Sequence, residues 1–156
     1  RQRGMNLPGV IGKAPGVNMR GVNHHGLSIE EANPQLALRF ADGAVVASGT
    51  ISFEAALYNT PSVVIYKLSP FTWFFAKRIA KVKHVSMPNL IAGRELFPEL
   101  LQEKATPELV AANLQPLLAD EEKQDEIYSG MAEVQNAMGE PGAAKRAAKL
   151  ILQKLK

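Results

Sequence analysis

Two short β-branched runs separated by a helix-length segment set the pattern of the first half of the chain. The run from Gly43 to Ala47, rich in valine and preceded by the turn residue Asp42, reads as a buried strand of a parallel sheet. Ile51 to Leu57 has helical propensity and ends near Asn59, and Pro61 to Tyr66 is a second strand. Strand, helix, strand predicts a βαβ unit. Val85 to Leu90 reads as a short third strand running into a loop, because Pro88 biases Met87 to extended geometry. Thr106-Pro107-Glu108 then starts a helix whose buried face is Leu109, Val110, Leu114, Leu117 and Leu118. Asp120 starts another, with Ile127, Met131, Val134 and Met138 at helical spacing, and Gly139 to Gly142 stops it. A last helix from Ala143 to Leu155 carries the stripe Ala144, Ala148, Ile151, Leu152 and Leu155, leaving Lys145, Arg146, Lys149 and Lys154 for solvent. The expected fold class is α/β. Residues 1–33 are punctuated by glycine and proline with almost no apolar periodicity, and are expected to form an irregular, poorly ordered lead-in to a domain over 34–156.

Chemistry concentrates where the first strand meets its helix. A helix beginning at Ser48 to Thr50 leaves its first backbone N–H groups unpaired at the carboxyl end of the strand. Those donors, the helix dipole and the absent side chain of Gly49 favour a phosphate. Glu54 falls about one helical turn further on, where a carboxylate can accept two hydrogen bonds from a vicinal diol such as a ribose. The same residues also fit a plainer description, in which Ser48 or Thr50 caps a helix and Glu54 is solvated.

A family resemblance bears on that choice. Ala47-Ser48-Gly49-Thr50 with Glu54 and Ala55, Thr60-Pro61 before a valine strand, Leu68 to Thr72, Ala76-Lys77-Arg78, Ser86-Met87-Pro88-Asn89-Leu90 running into Gly93-Arg94-Glu95, and Glu99 to Glu103 occur in an order that resembles the lipid-A-disaccharide synthases. Those enzymes are inverting glycosyltransferases of the two-domain GT-B architecture. The likeness runs from about Ala37 to Leu118, about half of the chain. It implies a partial Rossmann-like parallel sheet of about three strands from the carboxyl-terminal, donor-binding domain, followed by carboxyl-terminal helices.

The resemblance also implies a reaction and its participants. In this reading 2,3-diacylglucosamine passes from UDP to 2,3-diacylglucosamine 1-phosphate, with no metal or other cofactor. Ser48, Gly49 and Thr50 match the turn that faces the donor diphosphate, and Glu54 the acid aimed at the ribose. Asn89, Arg94 and Glu95 are further donor-binding candidates, since an amide both donates and accepts and a guanidinium can grip phosphate at two points. An ordinary ion pair of Arg94 with Glu95 or Glu99 is the plainer alternative. A homodimer that exchanges carboxyl-terminal parts is implied as well. The acceptor-binding domain with its general base and the opening strand of the donor domain find no counterpart in these 156 residues, so no catalytic residue is expected here and little activity from the chain alone. Another GT-B UDP-sugar transferase would share Ser48 to Glu54 but not Pro88 to Glu95.

Composition narrows the field. The chain is 46% hydrophobic and 21% charged with a net charge of +3, the profile of an ordinary globular domain, and the small, scattered basic excess argues against nucleic acid as a partner. It has no cysteine, which excludes disulfides and thiolate metal sites and suits the cytoplasm. From Phe71 to Lys83, Phe71, Phe74, Phe75, Ile79 and Val82 share one side of a helical projection while Lys77 and Lys81 fall on another. Two readings remain open: a core helix packing through its aromatics, or an interfacial helix placing Phe71, Trp73 and Phe74 in a lipid surface with Lys77, Arg78 and Lys81 on anionic headgroups. The second makes the protein peripheral on the inner face of the inner membrane; as a bare membrane-associated module it would need no nucleotide at all.

Overall fold

A computed structural model describes residues 8–69, 83–140 and 142–155. At its centre β3 (Ala44–Ala47), β4 (Ser62–Tyr66) and β5 (Glu99–Leu101) form a parallel sheet in the order β3-β4-β5, with Val46 opposite Val64 and Val64 opposite Glu99. The central strand is the most enclosed: Val63 and Val64 are fully buried, as expected where both faces of a parallel strand are covered. This is the α/β parallel sheet that the valine runs predict. A separate parallel pair, β1 (Val10–Gly12) with β2 (Ser28–Glu30), lies in the glycine-rich stretch and is followed by α1 (Pro34–Arg39). A buried bond from Thr60 Oγ1 to the Leu38 carbonyl, 2.8 Å long, ties α1 to the start of β4.

Between β3 and β4 runs α2 (Thr50–Leu57), which packs with α3 (Met87–Ala92) and α5 (Glu121–Ala137). Phe97, Ile127, Met131 and Val134 fill the core among these helices and the sheet, joined by Ala55 and Ala56. α4 (Pro107–Ala119) packs on β3 and β4 and along α5. Its start is capped by Thr106, which accepts from the Leu109 N–H, and α5 is capped by Asp120, which accepts from Lys123 N–H, both at the positions the sequence marks. Gly130 lets the Arg94–Leu96 segment lie directly on α5, because a side chain there would collide with Leu96.

One expected strand is a helix. Val85 to Leu90 does not extend; Ser86 stands in the N-cap position and Met87–Ala92 are helical, with Pro88 in the first turn and left-handed Gly93 (φ 68°) ending the helix. Proline costs a helix little in its first turn, where the N–H it lacks has no intrahelical acceptor, so Pro88 starts this helix instead of blocking it. The third strand is β5, immediately after Pro98.

The final helix α6 (Ala143–Lys154) forms as its periodicity predicts, and none of its side chains is buried: Ile151 and Leu152 are 59% and 64% exposed, and Leu155 at its C-cap 78%. No helix among the described residues is long and apolar enough to cross a membrane. The membrane-contact candidates Phe71, Trp73, Phe74, Lys77, Arg78 and Lys81 lie outside the described residues.

Candidate functional site

The Ser48–Thr50 turn lies at the carboxyl end of β3, where ligands of parallel sheets bind. Neither Ser48 nor Thr50 caps the helix. The N-cap residue is Gly49, with φ 131° and ψ −154°, a conformation open essentially to glycine alone, and among the described residues nothing lies within 4 Å of where its side chain would be. The backbone approach is therefore unobstructed, and the first N–H groups of α2 have no intrahelical carbonyl to meet. Ser52, fully buried in the first turn, donates through its hydroxyl to the Gly49 carbonyl at 2.7 Å and fixes the turn from inside.

Ser48 is held twice. Its N–H donates to the Ile65 carbonyl of β4 at 3.0 Å, and its hydroxyl donates to the Val85 carbonyl at 3.1 Å. The hydroxyl proton is thus committed to the protein, which makes Ser48 an anchor of the turn, whereas Thr50 is exposed at the first helical position. Thr50 and Glu54 are four residues apart and share a face of α2. Glu54 is half-buried, and its carboxylate has no partner among the described residues.

Asn89 is placed otherwise than as a free ligand. It is fully buried: Nδ2 donates to the Phe97 carbonyl and to Glu99 Oε1, each at 2.8 Å, while Oδ1 accepts from the N–H groups of Leu96 (2.9 Å) and Phe97 (2.8 Å). Two donated and two accepted bonds use the whole capacity of a primary amide, so Asn89 holds the connection between α3 and β5.

Arg94 and Glu95 are not brought to the Ser48 turn. Arg94 pairs in two-point fashion with Glu133 of α5, at 2.6 and 3.1 Å, instead of with Glu95 or Glu99. The hydrogen bond and charge of the partner raise the guanidinium pKa and lower that of the Glu133 carboxyl. Arg94 and Glu95 border a cleft shared with Asn113, Pro116 and Lys123. Leu114 and Leu118 of the same α4 crowd Gly43, just ahead of β3.

Two residues at the ends of β5, Glu99 opening it and Gln102 just after it, are part of the family block but were given no site role from sequence. Glu99 gathers bonds from Val85, Ser86 and Asn89. Gln102 clamps the segment after β4, accepting from the Leu68 N–H at 2.8 Å and donating to its carbonyl at 3.3 Å. The signal available was a charged residue opening an otherwise apolar strand and a polar one closing it.

Comparison with known proteins extends the likeness beyond these residues. The family model described as Lipid-A-disaccharide synthetase matches residues 17–154, so the likeness reaches beyond Ala37 and Leu118 on both sides and takes in part of the glycine-rich lead-in, 17–33. The lipid-A-disaccharide synthase of Erwinia tasmaniensis is 48% identical over 98 residues, 63% of this chain and 26% of that protein. That of Pseudomonas putida is 46% identical over 102 residues, 65% and 27%. That of Trichlorobacter lovleyi is 41% identical over 115 residues, 74% and 30%. The chain thus spans between 26% and 30% of the length of these relatives. A family match that takes in nearly the whole described sheet and all three carboxyl-terminal helices makes this chain a member of the lipid-A-disaccharide synthetase family.

Proposed function

We propose that this chain carries donor-nucleotide-binding residues of a lipid-A-disaccharide synthase, a glycosyltransferase that moves 2,3-diacylglucosamine from UDP to 2,3-diacylglucosamine 1-phosphate. The observation that carries the reading is the open turn at Gly49, whose backbone conformation presents the start of α2 with no described side chain in the way, in a chain of this family. In this account the Thr50 and Ile51 N–H groups and the Thr50 hydroxyl meet the diphosphate, and the positive end of α2 offsets part of its charge. Glu54 accepts from the ribose hydroxyls. Inversion at the anomeric carbon asks this side of the enzyme to stabilise the departing UDP electrostatically, while proton removal from the acceptor falls to a base elsewhere in the longer protein. No metal is assigned to the step, nor any other cofactor. Peripheral residence on the cytoplasmic face of the inner membrane and a dimer with exchanged carboxyl-terminal parts belong to the same reading.

Titration of UDP into the full chain in the presence of a chelator tests it. Saturable binding is expected, and Glu54→Ala is expected to weaken it at least about tenfold, the loss of a charge-assisted bond pair worth roughly 1.5–3 kcal/mol. Absence of UDP binding by the wild-type chain, or equal binding by the variant, counts against the assignment.

A further inference from the structure

We propose that Glu99 is a positioning residue for the Ser48–Thr50 turn, acting through the Val85–Ser86 peptide. The inference rests on the donor-binding reading above. Glu99 Oε1 accepts from Ser86 N–H (2.9 Å), Ser86 Oγ (2.8 Å), Asn89 Nδ2 (2.8 Å) and Val85 N–H (3.1 Å), and Oε2 also accepts from Val85 N–H (3.0 Å). Bonds to an ionised acceptor are about twice as strong as neutral ones, so this carboxylate is the firmest anchor of the segment.

The geometry of one peptide unit carries the effect onward. The Ser86 N–H that Glu99 holds and the Val85 carbonyl that accepts from Ser48 Oγ belong to the same planar group. Fixing one end of a rigid plane fixes the direction of the other. The turn needs such a hold, because the glycine-only conformation at Gly49 persists only where its surroundings over-determine it. Among the described residues those surroundings are the Ile65 carbonyl on Ser48 N–H, the Ser52 hydroxyl on Gly49, and the Val85 carbonyl that Glu99 orients. Glu99 touches no ligand in this account. It decides where the N–H groups that do so point.

Because a glutamine at 99 would still offer one oxygen to the donors that Oε1 holds, Glu99→Ala in the full chain tests the idea. The ¹⁵N order parameters of Gly49 and Thr50 without ligand are expected to fall from about 0.85 toward about 0.6, while Val63 and Val64 in β4 keep theirs. The UDP dissociation constant is expected to rise about tenfold. Unchanged order at Gly49 and Thr50 overturns the proposal, as does loss of order spread equally over β4. Failure of the wild-type chain to bind UDP overturns the donor-binding reading instead, and the ligand-free relaxation result still decides the role of Glu99. Should Glu99→Ala not fold, Ser48→Ala cuts the same connection at its far end. It is expected to loosen Gly49 and Thr50 while Val85 and Ser86 stay rigid, and a rigid turn in that variant refutes the connection.

Discussion

Asn89→Ala is expected to destabilise the chain by about 3–5 kcal/mol, lowering its melting temperature by about 10 °C. The truncation strips acceptors from the Leu96 and Phe97 N–H groups and donors from the Phe97 carbonyl and Glu99 Oε1. Phe97 is fully buried, so water does not replace what is lost, and each orphaned group costs about 1–3 kcal/mol. Asn89→Asp separates hydrogen bonding from volume. It places an oxygen where Nδ2 stands 2.8 Å from Glu99 Oε1, and two carboxylates that close cannot both ionise. The pair must keep a proton in the folded state, which raises its folded pKa above the unfolded value. The variant is then most stable at acid pH and loses stability as pH rises, a slope that thermal melts over a pH series will read. Asn89→Asp melts independent of pH would show that the amide is not the junction described.

Gly49→Ala is expected to leave the fold standing and to weaken UDP binding by at least about tenfold. Among the described residues the added methyl meets nothing within 4 Å, so no steric clash with them is involved. The penalty is in the backbone: φ 131° with ψ −154° costs an L-residue of order 1–3 kcal/mol, and the exposed turn will relax to escape it. Relaxation redirects the Thr50 N–H. A D-alanine introduced at 49 by ligation of synthetic peptide gives the decisive contrast, because these angles mirror the ordinary extended region of an L-residue. UDP affinity close to that of wild type is expected for the D-residue and a loss for the L-residue. Equal affinities for the two would show that the turn geometry plays no part in binding.

How far such features can be read from sequence depends on how local their causes are. β3 and β4 were legible because valine runs next to turn residues have few alternatives, and the starts of α4 and α5 because Thr106 and Asp120 act within three residues. Met87–Ala92 was not, since six residues are too few to show a period and Pro88 carries opposite messages inside and at the start of a helix. The candidate site divides along the same line. Gly49 announces itself at the end of a strand. Asn89 looks equally suited to a ligand or to a backbone junction until Leu96 and Phe97 are seen to surround it. The partner of Arg94 lies 39 positions away on another helix, beyond the neighbours Glu95 and Glu99 that spacing suggests.

The Val85–Ser86 plane also sets a timetable. The Asn89 bonds close over 7 to 10 residues, the Glu99 bonds to Val85 and Ser86 over 13 to 14, and the Ser48 bond to Val85 over 37. Closure entropy grows with the span enclosed, so the α3–β5 junction is the cheapest of these to assemble and the Ser48 link the last. The nucleotide-facing turn accordingly matures after the scaffold beneath it. In stopped-flow experiments Ser48→Ala should speed unfolding and leave the refolding rate nearly unchanged, whereas a slowed refolding would place the turn in the nucleus.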